Sequence, residues 1–245
     1  MTAPCLEFAY RFEQGDAVVA DYVVRLDRST LALQEQALNP PPEWTRLEFQ
    51  QCEHCPLSAE RATHCPVALA LARLVEFAGS LSSHAWLKVQ VKISDRTIMA
   101  ETTAQRAVSA LMGLLMATSD CPHMVWLRPM ARFHLPFASE EETLYRAASM
   151  YLLAQYFRHH RGMTSDCDLE GLRRVYEQLH EVNVAMAKRL STAAAEDASV
   201  NAVILLDVLA KAMPDSIGTA LEELEYLFQP YLADDLIGLD TPACH

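Results

Sequence analysis

Glycine is scarce in this chain, with seven residues in a total of 245. Loops that cradle phosphate groups need several glycines at fixed spacing, so the sequence contains neither a P-loop nor a dinucleotide-binding fingerprint. The Gly-x-Ser-x-Gly elbow of hydrolases and the His-Glu-x-x-His helix of zinc peptidases are absent as well. These absences make an enzyme less expected, and the sequence favours a non-catalytic protein.

Positive charge is also in short supply, because 20 Lys and Arg face 32 Asp and Glu and leave a net charge of -12 at pH 7. A protein that binds nucleic acid non-specifically needs a basic surface to displace counterions, and docking on anionic lipid needs the same. We therefore expect neither nucleic acid nor a membrane surface as a partner. The expected partner is another protein or a second copy of this chain, which would make a homo-oligomer.

Long apolar runs are missing. The longest, residues 108–117, is about half a membrane span and is interrupted by Ser109 and Gly113. The first residues lack the basic and then apolar segments of a signal peptide. We therefore expect a cytoplasmic protein, in which the seven cysteines stay reduced.

Four of the cysteines form a pattern that is typical of a metal site. Cys52 and Cys55 form a Cys-x-x-Cys pair, and Cys65 and Cys121 each precede a proline. The turn inside such a pair brings both sulfur atoms to one side, and zinc binds thiolates at about 2.3 Å. We expect both Cys-Pro units to open helices, where unpaired N–H groups and the helix dipole lower the pKa of the thiol. The four thiols therefore predict a closed zinc site with a structural role.

An iron–sulfur cluster is the alternative for the same four cysteines, in a redox protein or an iron sensor. Cys-Pro occurs three times in the chain, and this dipeptide ends many cluster-binding runs. Thiolate ligands suit zinc and iron–sulfur clusters alike, so ligand type does not separate them. His54, His64 and His123 flank the cysteines as substitute or second-shell ligands, and four cysteines already complete a tetrahedron, which favours the second-shell role.

A third hypothesis concerns residues 127–137, which hold Arg128, Arg132 and His134 among aromatic residues. These three side chains could bind an anionic substrate in an enzyme. The favoured interpretation is a buried irregular segment whose arginines pair with nearby acids such as those at 140–142, because pairing with carboxylates is the commonest use of arginine.

Hydrophobic periodicity predicts an α+β fold. Apolar residues alternate in 5–12 and 18–26 around a turn at 13–16, and again in 85–93 and 97–102. A short strand at 44–50 would give a sheet of about five strands, crossed by one helix that starts at Cys65-Pro66. Helical patterns follow at 103–119, 139–160, 168–195, 198–213 and 215–231.

The predicted organisation is an N-terminal antiparallel sheet packed on a C-terminal helical bundle. The sheet region, 1–102, carries Cys52, Cys55 and Cys65, and the helical region, 103–245, carries Cys121. A metal ion bound by all four would staple the two regions into one integrated unit.

Four motifs resemble a family of uncharacterised bacterial proteins of about this length. They are Cys-x-x-Cys-Pro-Leu from Cys52, Cys-Pro-Val-Ala from Cys65, Ser-Asp-Cys-Pro-His around Cys121, and Arg-Pro-Met-Ala-Arg-Phe-His-Leu-Pro-Phe from Arg128. The resemblance implies a bacterial, cytoplasmic protein and brings no activity with it.

Overall fold

The computed structural model describes residues 5–34, 38–193 and 197–232, which form an α+β protein. The strands are β1 (Cys5–Gln14), β2 (Ala17–Asp27), β3 (Trp86–Ile93) and β4 (Arg96–Thr103). The α-helices are α1 (Pro66–Ala78), α2 (Ala104–Thr118), α3 (Arg128–Arg132), α4 (Glu140–His160), α5 (Glu170–Ala193), α6 (Ala198–Glu222) and α7 (Gln229–Leu232). The predicted fold class is confirmed.

The sheet consists of two hairpins that meet along β1 and β3, in the antiparallel order β2-β1-β3-β4. Phe8, Tyr10 and Phe12 of β1 are buried, and so are Val89 and Val91 of β3, while the residues between them are more exposed. This alternation is the period of two that the sequence shows, because successive side chains of a strand point to opposite faces. Helix α2 packs on α1, β3 and β4.

The strand predicted at 44–50 is wrong, so the sheet has four strands and not about five. Residues Glu43–Thr45 form a 3₁₀ turn, and an isolated bridge joins Arg46 to His64. The carbonyl oxygens of Trp44, Arg46 and Leu47 accept hydrogen bonds from the Arg189 side chain, so they are not free to form a ladder with another strand. A distant side chain therefore overrides the local strand pattern.

The break predicted at Pro214 is also wrong, because α6 runs through this residue to Glu222. A proline inside a helix removes one hydrogen bond and crowds the preceding turn. Arg173 donates a hydrogen bond of 2.6 Å to the carbonyl oxygen of Pro214, which gives that part of the helix a tertiary partner.

The chain divides into two compact units. The first comprises Met1–Phe137 and Gln178–Val208, and the second comprises Ala138–Glu177 and Leu209–His245. All four cysteines of the predicted site lie in the first unit, and α4 lies in the second. Within residues 5–34, 38–193 and 197–232, no helix is long and apolar enough to cross a membrane.

Helix α4 begins with a capping box formed by Ser139 and Glu142. The Ser139 hydroxyl accepts from the Glu142 amide at 3.1 Å, and the Glu142 carboxylate accepts from the Ser139 amide at 2.7 Å. At the other end the chain turns at Gly162, whose φ of 67° lies in the left-handed region that favours glycine.

We expect Gly171→Ala to lower the free energy of unfolding by about 1–3 kcal/mol through overpacking. Gly171 lies in the first turn of α5, and a β-carbon there would come within 2.9 Å of Tyr151 Cζ and closer still to the hydroxyl. That hydroxyl cannot easily move away, because it donates a 2.7 Å hydrogen bond to Asp166. Urea denaturation measures the change.

Gly113→Ala is the matched control for this prediction. A β-carbon at Gly113 of α2 would meet Leu206 Cδ2 at 3.6 Å, an ordinary van der Waals contact. The substitution should be neutral or stabilise the helix by up to about 1 kcal/mol. Equal stability of the two variants would contradict the predicted clash.

Candidate metal centre

Three of the four cysteines lie in or next to a loop that is held by its own backbone pairing. Cys65 donates its amide to the Thr45 carbonyl at 2.8 Å, and Leu47 donates to Thr63 at 3.0 Å. These bonds close the loop over residues 48–62. Inside it, the Cys55 amide donates to the Cys52 carbonyl at 3.2 Å, which forms the predicted Cys-x-x-Cys turn.

Cys65 occupies the position that the sequence predicts for it. It is the N-cap of α1, it is buried, and Pro66 is the first residue of the helix. Its backbone is extended, as an N-cap residue requires, and its carbonyl accepts from the Leu69 amide at 2.9 Å. The Cys65 side chain therefore lies at the positive end of a 13-residue helix.

The prediction that a helix opens at Cys121 is wrong. The residues after Cys121 form a turn and then a 3₁₀ helix at Val125–Leu127, and α3 follows only at Arg128. The reason is local, because the Met124 and Val125 amides both bond to the Cys121 carbonyl and so tighten the turn. The turn still serves the thiol, which accepts hydrogen bonds from the backbone amides of His123 and Met124.

The four thiols lie in one neighbourhood. Burial raises the pKa of Cys52 to about 12, and charge on Cys65, Cys55 and Cys121 contributes to the same rise. Burial likewise raises the pKa of Cys121 to about 11, with further contributions from Cys65 and Cys55. Because Coulomb interactions weaken with distance, mutual effects of this kind require neighbouring sulfur atoms.

The thiols are neighbours without being in coordination geometry. Within the described parts of the chain, no group of three or more His, Cys, Asp or Glu side chains has the arrangement needed to hold a metal ion. None of the six described cysteines is in a disulfide bond. Of the three cysteines outside the pattern, Cys5 is half-buried, Cys167 is exposed, and Cys244 lies outside the described residues.

Arg189 of α5 is a feature of the site that sequence reasoning missed. Its side chain is 1% exposed, and its guanidinium donates to the carbonyls of Trp44, Arg46 and Leu47 at 2.7–2.8 Å. Its Cζ atom also lies 6.0 Å from the ring centroid of Phe49. The one sequence signal of its burial is that Arg189 lies in an otherwise apolar stretch of a predicted helix.

The buried charge of Arg189 has no carboxylate partner among the ion pairs of the described residues. Burial lowers its pKa, and Cys65, Cys52 and Cys55 oppose this effect when they are charged. Among the described residues, the groups that act on the Arg189 charge and can become anionic are therefore thiols. An arginine remains protonated in proteins, so the neighbourhood carries a fixed positive charge.

The histidines beside the cysteines make other contacts. His123 Nε2 donates to the His54 carbonyl at 3.2 Å, and its Nδ1 lies 3.2 Å from Gln178 Oε1. His54 Nδ1 lies 3.0 Å from Glu181 Oε2. These contacts link the Cys-x-x-Cys turn, the Cys121 turn and α5. The half-buried His64 contributes its backbone to the bridge with Arg46.

Arg128, Arg132 and His134 face different partners. Arg128 pairs with Asp120 at 2.7 Å, and the Arg132 guanidinium lies 5.3 Å from the ring centroid of Phe133. His134 Nε2 is hydrogen-bonded to the buried Tyr10 hydroxyl on the sheet. The favoured interpretation, an irregular segment whose arginines pair with the acids at 140–142, is wrong on two points. The acid that pairs with Arg128 is Asp120, which precedes it in the chain. Residues 128–132 are not irregular, because they form α3.

The fold and the converging thiols define an α+β protein with a candidate cysteine metal centre. The chain belongs to a family described as a domain of unknown function (DUF6901), whose model matches residues 6–229. No curated protein and no solved structure matches the chain. The expected membership of an uncharacterised family is thereby confirmed.

Proposed function

We propose that this is a non-catalytic adaptor or regulatory protein in which Cys52, Cys55, Cys65 and Cys121 bind one zinc ion. The observation that carries the proposal is that Cys65, Cys55 and Cys121 each contribute to the raised pKa of Cys52, and that Cys52, Cys55 and Cys65 also act on the buried Arg189. The ion would tie the loop at 48–62 to the start of α1 and to the turn after α2. Its role would be structural, because four protein ligands leave no open position for a substrate.

Charge balance supports this proposal. A buried guanidinium without a counter-charge is costly, and neutral thiols do not supply one. A coordinated thiol is deprotonated, so four thiolates on a zinc ion carry a net charge of about -2. Arg189 offsets half of that charge and would stabilise the loaded site.

The hydrogen bonds at Cys121 support it as well. Backbone N–H groups that point at a sulfur atom favour its thiolate form, which is the form that binds metal. His123 and Met124 supply two such groups. To bind one ion, the four sulfur atoms must each come within about 2.3 Å of it.

The iron–sulfur alternative depends on the repeated Cys-Pro and on the same four thiols, so only the bound metal separates it from zinc. The sequence motifs resemble those of a family of bacterial proteins. A location in the cytoplasm of a bacterium would keep these thiols reduced and available to either metal.

Metal analysis of the untagged full-length protein, purified without oxygen, tests the proposal. We expect about one zinc per chain and no visible colour, and Cys121→Ser should lose the metal. Cys167→Ser is the matched control, since this exposed cysteine lies outside the site and its loss should leave the zinc in place. Iron with labile sulfide would establish the alternative, and protein without bound metal would overturn both.

A further inference from the structure

Helix α4 carries a large apolar surface on its outward side. The exposed fractions are 41% for Leu152, 55% for Leu153, 53% for Tyr156 and 54% for Phe157. The two aromatic rings meet edge to face with centroids 5.6 Å apart. A surface helix normally turns charged and polar residues to this side, so the pattern indicates a face that another molecule covers.

The inward side of the same helix is already satisfied. Gln155 is 7% exposed, and its side-chain carbonyl accepts from the Asp166 amide at 3.0 Å. Leu144, Ala147 and Ala148 complete the buried side. Helix α4 therefore has apolar residues on two sides, and Leu152, Leu153, Tyr156 and Phe157 on the outward side remain about half exposed.

The spacing of the outward residues indicates a helical partner. Glu142, Tyr145, Ser149, Leu152, Tyr156 and His159 are all exposed. They follow one another in steps of three and four residues, so they form a single stripe along the helix. The intervals are three, four, three, four and three residues, so the spacing is the same when it is read from either end of the helix. The centre of the stripe lies between Met150 and Tyr151.

The charges at the two ends of α4 are complementary. Its first turn holds Glu140, Glu141 and Glu142, and its last turn holds Arg158, His159 and His160, followed by Arg161. An antiparallel pair of such helices brings acids opposite bases at both ends. A parallel pair brings like charges together and is disfavoured.

We propose that the outward stripe of α4 pairs with α4 of a second copy of this chain, antiparallel and about a two-fold axis between Met150 and Tyr151. Tyr145 of each copy then faces Tyr156 of the other, and Ser149 faces Leu152. The Glu141–Glu142 end of one stripe lies against the His159–His160 end of the other. A two-fold interface of this kind uses the same patch on both copies, which the symmetric spacing allows.

The size of the stripe sets the strength of the dimer. Tyr145, Leu152 and Tyr156 of the stripe and the adjoining Leu153 and Phe157 are each about half exposed, and together they would bury on the order of 1,000 Å² over both copies. This area is at the low end for specific interfaces. Phe228 stacks on Tyr145 with centroids 6.4 Å apart, and Tyr226 and Tyr231 beside it are exposed, so the apolar surface extends beyond the helix. The dimer is therefore weak and depends on concentration.

Sedimentation velocity of the full chain from about 1 μM to about 200 μM tests the proposal. We expect a monomer–dimer equilibrium, and Tyr156→Asp should raise the dissociation constant at least about tenfold. Ala154→Glu is the matched control, because this residue is exposed on α4 but lies off the stripe. Melting curves of both variants verify that they fold.

A charge exchange tests the antiparallel geometry. Glu141→Lys removes the acid that faces His160 of the other copy, and His160→Glu sets two carboxylates opposite each other, so each should weaken the dimer. The two substitutions together should restore it. A monomer at every concentration would overturn the proposal. A dimer that Tyr156→Asp does not weaken, or a double variant no tighter than the single ones, would do the same. No cysteine of the proposed metal centre lies in this interface. A dimer that persists after the metal is removed would therefore show that the dimer does not depend on the zinc proposal.

Discussion

Replacing Arg189 with methionine should lower the free energy of unfolding by about 3–5 kcal/mol. Methionine preserves much of the apolar volume, but it donates no hydrogen bond to the three carbonyl oxygens that Arg189 now serves. Each unsatisfied buried acceptor costs about 1–3 kcal/mol. Those carbonyls belong to residues 44–47, so the segment loses three of the hydrogen bonds that attach it to the rest of the fold and keeps its backbone pairing with residues 63–65. Urea denaturation measures the loss, with the slope of unfolding free energy against urea concentration unchanged between the two proteins.

Two variants separate this effect from a general effect of changing α5. Lys188→Met alters the exposed neighbour of Arg189 and should stay within about 0.5 kcal/mol of the parent protein. Arg189→Lys keeps the charge, but an ammonium cannot serve three carbonyls in the geometry of a planar guanidinium, so this variant should lie in between. An Arg189→Met variant as stable as Lys188→Met would refute the assigned role.

Removing the proposed zinc should loosen one part of the molecule in particular. If zinc contributes about 3 kcal/mol or more to folding, its removal with a strong chelator should lower the melting temperature by about 6–12 °C. The amides of residues 48–62 should exchange with deuterium much faster. Amides of β1 and β3 should stay protected, because the sheet and its core hold them independently. Hydrogen exchange with mass spectrometry resolves these regions.

Cys121→Ser supplies the control for that experiment. This variant should exchange at 48–62 as fast as the chelated parent protein, and the chelator should change it no further. A chelator effect spread evenly over the chain, or equal in the two proteins, would contradict a zinc ion held by these thiols.

Several elements could be predicted from the sequence because short-range interactions decide them. The hairpins of β1–β2 and β3–β4 follow from alternating apolar residues, which one face of a sheet must bury. The start of α4 follows from its capping box, and the start of α1 follows from a proline that suits the first helical position. In each case the residues that determine the structure lie within a few positions of it.

The errors occur where a distant side chain decides the outcome. Residues 44–50 have an apolar pattern that suits a strand, but Arg189 takes their carbonyl oxygens. Pro214 should end a helix, but α6 continues, and Arg173 bonds to the carbonyl of that proline. Neither partner can be found by looking along the neighbouring sequence.

The sequence by itself determined the α+β class and marked four cysteines as the residues most capable of chemistry. It could do so because periodicity and ligand type are properties of the chain. Only the tertiary structure decided that Cys52, Cys55 and Cys65 lie near a buried arginine, that Cys121 acts on the same thiols, and that α4 turns its aromatic stripe outward. Both depend on which faces of distant elements meet, and that is settled by packing of the whole chain.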